Sequence, residues 1–436
     1  LTPGTYLEWV DGKTRSDTFW RLPVGNEQAI GLDAASEQLD SLLRQSVSEH
    51  LLSDVPLGLW LSGGLDSSTI LHYAANASSS PIRTFSISFD GRSFNDGDYS
   101  QQVASYYGTR HEQLNFTEEF GLQAAIEQFA YYADDPNADA GALPVWFLSK
   151  MTRQQVTVAL SGEAADELFG GYLTYRADEL AKRARLLPAP FLRLASNVCE
   201  RVLPPSDDKI SFEYKVKRFL AGCQMPFQRA HVFWNGTFSD AGRIQLVNPQ
   251  LPNSLKPILD ELGRAGDRLK SYLWFDQKYF LPDDILAKVD RISMAHSLEV
   301  RPPFLDHRIV EFAATLPASM LMRGSKQKVI LRHLMRGKLP PSVLSRKKVG
   351  FDIPAHEWLR GPLRSFMLDV LQTGMSSYPE LFNRPAIELC IRQHLERTQN
   401  LGYHLWGLMI LFLWMQRWKI QVSQAAVLAG ASQSWA

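Results

Sequence analysis

Between residues 33 and 175 the chain alternates between helical and strand-like hydrophobic spacing. Residues 33–52 carry Leu39, Leu42, Leu43, Val47 and Leu51 at helical intervals, which predicts an amphipathic helix. The apolar run "VPLGLWLS" predicts a strand, "SSTILHYAANA" a helix and "IRTFSISF" a second strand. A helix in "SQQVASYYG" and a short strand in "HEQLNF" follow, then helices in "LQAAIEQFAYYA" and "LPVWFLSKMTRQ" and a strand in "VTVALSG". Strands rich in Val, Ile and Phe and separated by helices predict an α/β fold. Its centre is a parallel twisted sheet covered by helices on both faces.

On either side of this region the pattern changes. Residues 1–32 read as short strands and turns, the tail of a preceding unit. Residues 33–175 read as the α/β layer. Residues 176–436 read as largely helical, punctuated by Pro-rich turns such as "LLPAPF" and "KLPPSV". One stretch, "LWGLMILFLWMQRW" from Leu405 to Trp418, is apolar enough to suggest a membrane. Its uncharged run is shorter than the ~20 residues a spanning helix needs, so a buried core helix is expected.

The 436 residues are ample for two or three domains, and Lys+Arg and Asp+Glu balance at 46 each. No global field favours nucleic acid or membrane, so any grip on phosphate must be local. The three cysteines (Cys199, Cys223, Cys390) are too few and scattered for a disulfide framework or a CxxC metal site. With Pro, Gly and acids in the opening residues where a leader needs an apolar run, a reducing, cytoplasmic setting is expected.

Candidate chemistry begins where the first strand stops. In "SGGLDSS" (residues 62–68), Gly63 and Gly64 let the backbone turn and approach a ligand closely. Ser62, Ser67 and Ser68 add hydroxyls, and the following helix offers unpaired N–H groups and the positive end of its dipole. These properties suit a pyrophosphate. Asp66 opposes phosphate unless it holds Mg²⁺, a hard cation that takes both carboxylate and phosphate oxygens. Neither a Walker A loop nor GxGxxG fits the string.

"SGGLDSS" resembles the PP-loop of the ATP pyrophosphatase superfamily, whose members split ATP between the α- and β-phosphates. Most of the chain is similar to the synthetase domain of the glutamine-hydrolysing asparagine synthetases. The resemblance rests also on "TFSISF", "GTRH", "LSGEAADELFGGY", "LPDDILAKVDRISMAHSLEVRPPFLDHRIVEF" and "KVILR". It implies ATP and Mg²⁺ as cofactors, with Asp66 and Asp166 sharing the magnesium–pyrophosphate. By the same resemblance Leu61 and Ile87 line the adenosine site, and Ser161 and Gly162 touch the nucleotide. Glu163 falls where the family needs an acid to form the acyl-adenylate. Lys328 matches the lysine that precedes "ILR" or "LLR" and neutralises the leaving phosphate, with Lys326 beside it as a decoy. The family usually has Gly-Gly or Gly-Ala where this chain has Ala164-Ala165.

Other charged residues are open to structural readings. Asp166 and Glu167 suit a helix N-terminus on dipole grounds alone. "LEVRPPFLD" offers Glu299, Arg301 and Asp306, and its arginine is either a carboxylate binder or half of a structural ion pair. "AKVDR" reads as a packing and hinge region, and His111 as positional. Lys347 and Lys348 are weaker cation candidates than Lys328.

The chemistry implied is attack of aspartate's side-chain carboxylate on the α-phosphorus of ATP, giving β-aspartyl-AMP and pyrophosphate. Ammonia then displaces AMP. In the family, ammonia comes from glutamine through an N-terminal glutaminase domain, and residues 1–32 resemble the junction where that domain ends. Aspartate and ammonia are thus the expected small-molecule partners, and a homodimer is compatible with the resemblance. Three other readings compete. A related AMP-forming ligase would act on another carboxylate, as in β-lactam closure or specialised-metabolism amidation. A tRNA-thiolating enzyme would need reactive cysteines and usually a basic surface, and the neutral net charge and absent cysteine pairs argue against it. A non-catalytic module would be expected to lose Asp66, Asp166 or the loop glycines, and all are retained.

Overall fold

The computed structural model describes residues 1–24, 27–89, 97–116, 121–206, 211–247, 255–262, 267–346, 350 and 353–421. It opens with an antiparallel hairpin, β1 (Thr5–Val10) and β2 (Lys13–Thr18), closed by Asp11 and Gly12. Both turn residues have positive φ, 49° and 76°, the two-residue geometry that Asp-Gly favours.

The central sheet contains β3 (Leu57–Trp60), β4 (Arg83–Phe89), β5 (Arg110–Phe116), β6 (Val158–Leu160) and β7 (Glu299–Arg301). All pairings are parallel, and the spatial order is β5-β4-β3-β6-β7. Side chains alternate across β3. Leu59 and Leu61 enter one core with α1 (Leu32–His50), α2 (Leu65–Ala77) and α3 (Gly97–Tyr107). Trp60 enters the opposite core with α4 (Leu122–Tyr132) and α5 (Ala142–Arg153). The period-2 strand between two period-3.6 layers is thus realised with both faces covered.

Most of the later helices join these cores, while Leu173–Ala184, Ala189–Val202, Phe212–Cys223 and Phe227–Asn235 also build a small third cluster from Ala181, Leu192, Cys223, Ala230 and Trp234. Phe304, Ile309, Ile330 and Leu331 fill the α1–α3 side. Ile292, Met367, Trp406 and Phe412 fill the α4–α5 side. The apolar helix Gly402–Arg417 buries Leu405, Trp406, Leu408, Met409, Ile410 and Phe412, as expected of a core helix. Among the described residues no helix is long and apolar enough to cross a membrane.

The last strand of the central sheet departs from the sequence reading, in which strand signals fade after Tyr175. β7 lies at residues 299–301 and forms the sheet edge beside β6. It has three residues with charges at both ends, so it carries no alternating apolar signal. Its pairing with β6 comes from tertiary packing.

Candidate active site

The strand order reverses between β3 and β6, where chain segments leave in opposite directions and a crevice opens beyond the strands' carboxyl ends. The loop after β3 is "SGGLDSS". The loop after β6 is "SGEAADE", which leads into α6 (Ala165–Phe169). Together they border a cavity of about 320 Å³. From the first loop Leu61, Ser62, Gly64, Asp66 and Ser67 line it, and from the second Ser161, Gly162, Glu163 and Asp166. Ile87 at β4 and Lys328 also face it. Gly63 and Ser68 do not line the cavity. Gly63 has φ +66°, and a side chain there would run into the Tyr99–Ser100 backbone. Ser68 is fully buried, its amide donating to the Gly64 carbonyl at 3.1 Å.

The first loop is held by its own hydroxyls. The Ser62 amide donates to Ser67 Oγ at 3.2 Å, and the Gly64 amide to Ser62 Oγ at 3.3 Å. Gly64 caps α2 in an extended conformation with no side-chain acceptor on the helix end. The first amides of α2 therefore point toward the crevice without a competing side-chain cap. In the second loop, Ser161 Oγ is buried and has no hydrogen-bond partner among the described residues.

Lys328 joins the two loops. Its Nζ donates to Asp66 Oδ1 at 2.5 Å and lies 2.6 Å from Asp166 Oδ1. The lysine side chain is 5% exposed, so this is a buried cation held between two carboxylates. A small hairpin, β8 (Met322–Arg323) and β9 (Lys326–Gln327), delivers it. Gln327 pins the hairpin to the second loop, its Nε2 donating to the carbonyls of Gly171 at 2.7 Å and Tyr172 at 2.6 Å. Lys326 is exposed on the same hairpin and does not line the cavity. Among the described residues no group of three or more His, Cys, Asp or Glu side chains is disposed to hold a metal.

The family model for asparagine synthase matches residues 38–419. The chain belongs to the asparagine synthase family. It is 28% identical over 412 residues to asparagine synthetase (glutamine-hydrolyzing) 1 of Bacillus subtilis (strain 168), a match covering 93% of this chain and 62% of that protein. It is 30% identical over 399 residues to a putative asparagine synthetase (glutamine-hydrolyzing) of Mycobacterium bovis, covering 90% and 59%. A more distant relative, amidase chry2 of Gibberella zeae, is 24% identical over 406 residues and covers 83% and 59%. The chain thus spans about three fifths of the length of these curated relatives.

The cavity also holds residues that the sequence reading passed over. Lys288, assigned there to a packing and hinge region, lines the cavity together with Asp139. Arg332 and Arg346 line it as well, and Arg346 Nη1 donates to the Ser62 carbonyl at 3.0 Å. Their neighbours Lys347 and Lys348 lie outside the described residues. No local pattern marks these cations, because three separate segments of the chain bring them to the crevice. Glu167 is buried behind Asp166 and accepts from Tyr172 Oη at 2.5 Å. Burial first, and the Asp166 charge next, push its carboxyl up to about 8.

Arg301, Asp306 and His111 take structural places. Arg301 pairs with Glu299 at 2.6 Å and donates to the carbonyls of His50 and Leu52 at 2.9 and 2.8 Å. Asp306 caps the helix His307–Thr315 through the Arg308 amide. His111 lies between the hydroxyls of Thr84 and Ser86 across β4 and β5.

Proposed function

We propose that the chain is the synthetase part of an ATP-dependent amide ligase that converts aspartate to asparagine and releases AMP and pyrophosphate. The observation that carries the reading is the buried Lys328 ammonium against Asp66 and Asp166, at the crevice where two strand-end loops meet. A buried cation at the meeting point of two glycine-containing loops suits a polyphosphate whose charge grows as it leaves. Leu61 and Ile87 offer an apolar wall for the adenosine. The α2 amides, Ser62, Ser67, Ser161 and Gly162 offer donors and close backbone for the phosphates.

The donor set also suits Mg²⁺. That ion is usually held by one or two carboxylates and completes its shell with water and substrate phosphates, so Asp66 and Asp166 suffice. When bound it supplies charge neutralisation on phosphate oxygens. The residues do the rest. Lys328 stabilises the departing pyrophosphate while aspartate's side-chain carboxylate attacks the α-phosphorus, and Glu163 serves this acyl-adenylate step. The β-aspartyl-AMP formed has a good leaving group on its carbonyl, so ammonia attacks there, AMP departs, and the extra proton passes to solvent. The ammonia is either free or drawn from glutamine by an N-terminal glutaminase domain. The reaction needs no membrane and no nucleic acid, and the cytoplasm supplies all its reactants.

ATP–pyrophosphate exchange across a panel of carboxylic acids tests this reading, with aspartate expected to drive it. Absence of an aspartate response, with exchange driven by another acid, would favour a related ligase of different substrate. Asp66→Asn is expected to keep the fold and lower aspartate-dependent exchange by about 10²- to 10³-fold or more. Exchange that survives in that variant would remove Asp66 from the phosphate site.

A further inference from the structure

Beside the Lys328 cluster, the same cavity holds a second, separate charged group. Lys288 comes from the helix Ala287–Met294, and its Nζ donates to Asp139 Oδ2. Asp139 is held in turn: its other oxygen accepts from the Gly141 amide at 2.8 Å, and its own amide donates to Asn137 Oδ1 at 2.8 Å. Asn137 Nδ2 donates to Asp284 Oδ1 at 2.9 Å, which ties in the π-helix Asp276–Leu286. The Lys288 side chain is 10% exposed. Burial disfavours its charge, yet Asp139, Asp284 and Glu163 outweigh that and hold the ammonium protonated. The same crowding, after burial, raises the Asp284 carboxyl to about 6.

A largely buried ion pair gives little net stability, because both groups lose water. This one faces a ligand cavity, and its surroundings are unbalanced: one cation meets three carboxylates. Surplus negative charge repels phosphate and attracts a second ammonium. The proposed substrate, an α-amino acid, brings an ammonium and a carboxylate on one carbon, next to the side chain whose carboxylate reacts. Glu163, proposed above for the acyl-adenylate step, lines the same cavity as Lys288 and Asp139.

We propose that Lys288 and Asp139 form the subsite that reads the α-amino-acid end of the substrate, Lys288 taking the α-carboxylate and Asp139 the α-ammonium. The inference rests on the ligase reading above and narrows it to a free α-amino acid with a side-chain carboxylate. Acids that lack either charge, or whose amine is acylated, leave a buried charge unmatched and are rejected.

The test is ATP–pyrophosphate exchange with aspartate, succinate (no ammonium), 3-aminopropanoate (no α-carboxylate) and N-acetylaspartate. Wild-type chain is expected to favour aspartate over each analogue by ~10²-fold or more in kcat/KM. In Lys288→Met, aspartate should fall about 10- to 100-fold, mostly through KM, while 3-aminopropanoate and the KM for ATP stay unchanged. In Asp139→Asn, aspartate should fall similarly while succinate does not. Lys288→Arg, which keeps the cation, guards against loss through misfolding and should recover part of the preference. Wild-type exchange as fast with succinate as with aspartate overturns the subsite and leaves the ligase reading standing. Wild-type selectivity persisting in folded, ATP-binding Lys288→Met and Asp139→Asn does the same. No exchange with any of the four acids, while ATP still binds, overturns both.

Discussion

Lys328 has φ 52° and ψ 46°, the left-handed region where a side-chain-bearing residue is strained by roughly 1–2 kcal/mol. Ala164, which leads into α6, has φ 73°. Strain of this kind persists where the surroundings over-determine it, and here it falls on both sides of one ion cluster. At position 164 glycine would adopt the left-handed turn without strain, whereas alanine keeps it at that cost. Gly171 is held more tightly still, since a Cβ there would collide with Asp166 Oδ1 and Lys328 Cε. Gly171→Ala is therefore expected to leave the sheet intact and cut pyrophosphate exchange ~10²-fold, read with circular dichroism as the folding control. Glu167 gives a pH-dependent prediction. Its folded carboxyl lies at about 8, above the usual 4.5, so its neutral form stabilises the fold fully below pH 4.5. That contribution is lost as pH rises through 8. Glu167→Gln should therefore flatten the loss of stability between pH 5 and about 9 in denaturant titrations while keeping exchange at pH 7. At this scale the residues of the two strand-end loops were legible, because glycines, hydroxyls and acids lie together in sequence. Lys288 and Arg346 were not, because their meaning depends on what they face.

The π-helix that leads into the helix carrying Lys288 is fixed from behind by a buried clamp. His231, on the helix Phe227–Asn235, is fully buried between Asp178 at 2.7 Å and Asp276 at 2.9 Å. Asp276 begins the π-helix and accepts from Tyr175 Oη at 2.6 Å. Next to it, Gln277 Nε2 donates to the Glu167 carbonyl at 3.0 Å, so the clamp connects with the second loop. Pro282 lies within the π-helix, and a proline inside a helix removes one donor and displaces the preceding turn. Such a segment needs outside support. Burial opposes a charge on His231, but Asp276 and Asp178 outweigh it and raise the imidazole to about 10. Its stabilising contribution is complete below its ordinary pKa and is lost as pH rises through 10. His231→Ala would leave two carboxylates facing each other in the interior and is expected to cost about 3–5 kcal/mol in denaturant titration. An unchanged midpoint would mean that the clamp does not support the segment. The sequence showed helices here but neither the clamp nor the π-helix, since partners 45 and 53 residues apart leave no local period.

For the whole molecule, the alternation of strand and helix spacing up to residue 175 was enough to foresee a parallel sheet covered on both faces. Later segments completed it: β7 closes one edge, and the β8–β9 hairpin supplies the cation that joins the two loops. Both are non-local additions of two or three residues, too short to carry a period of their own. This division of labour bears on nitrogen supply. Taking the amide nitrogen from glutamine requires a nucleophile, and these 436 residues contain thiols only at Cys199, Cys223 and Cys390. Cys223 is buried, and burial pushes its thiol up to about 11. Burial pushes the Cys390 thiol up as well. A thiol held protonated is a poor nucleophile at neutral pH. None of the three lines the cavity at the crevice. The purified 436-residue chain is therefore expected to form amide from aspartate, ATP and an ammonium salt, faster as pH rises because unprotonated ammonia is the attacking species. With glutamine in place of the ammonium salt it should form neither amide nor glutamate. Glutamate release would instead locate a glutamine-cleaving nucleophile within these residues, and substituting the three cysteines one at a time would then decide whether a thiol is responsible.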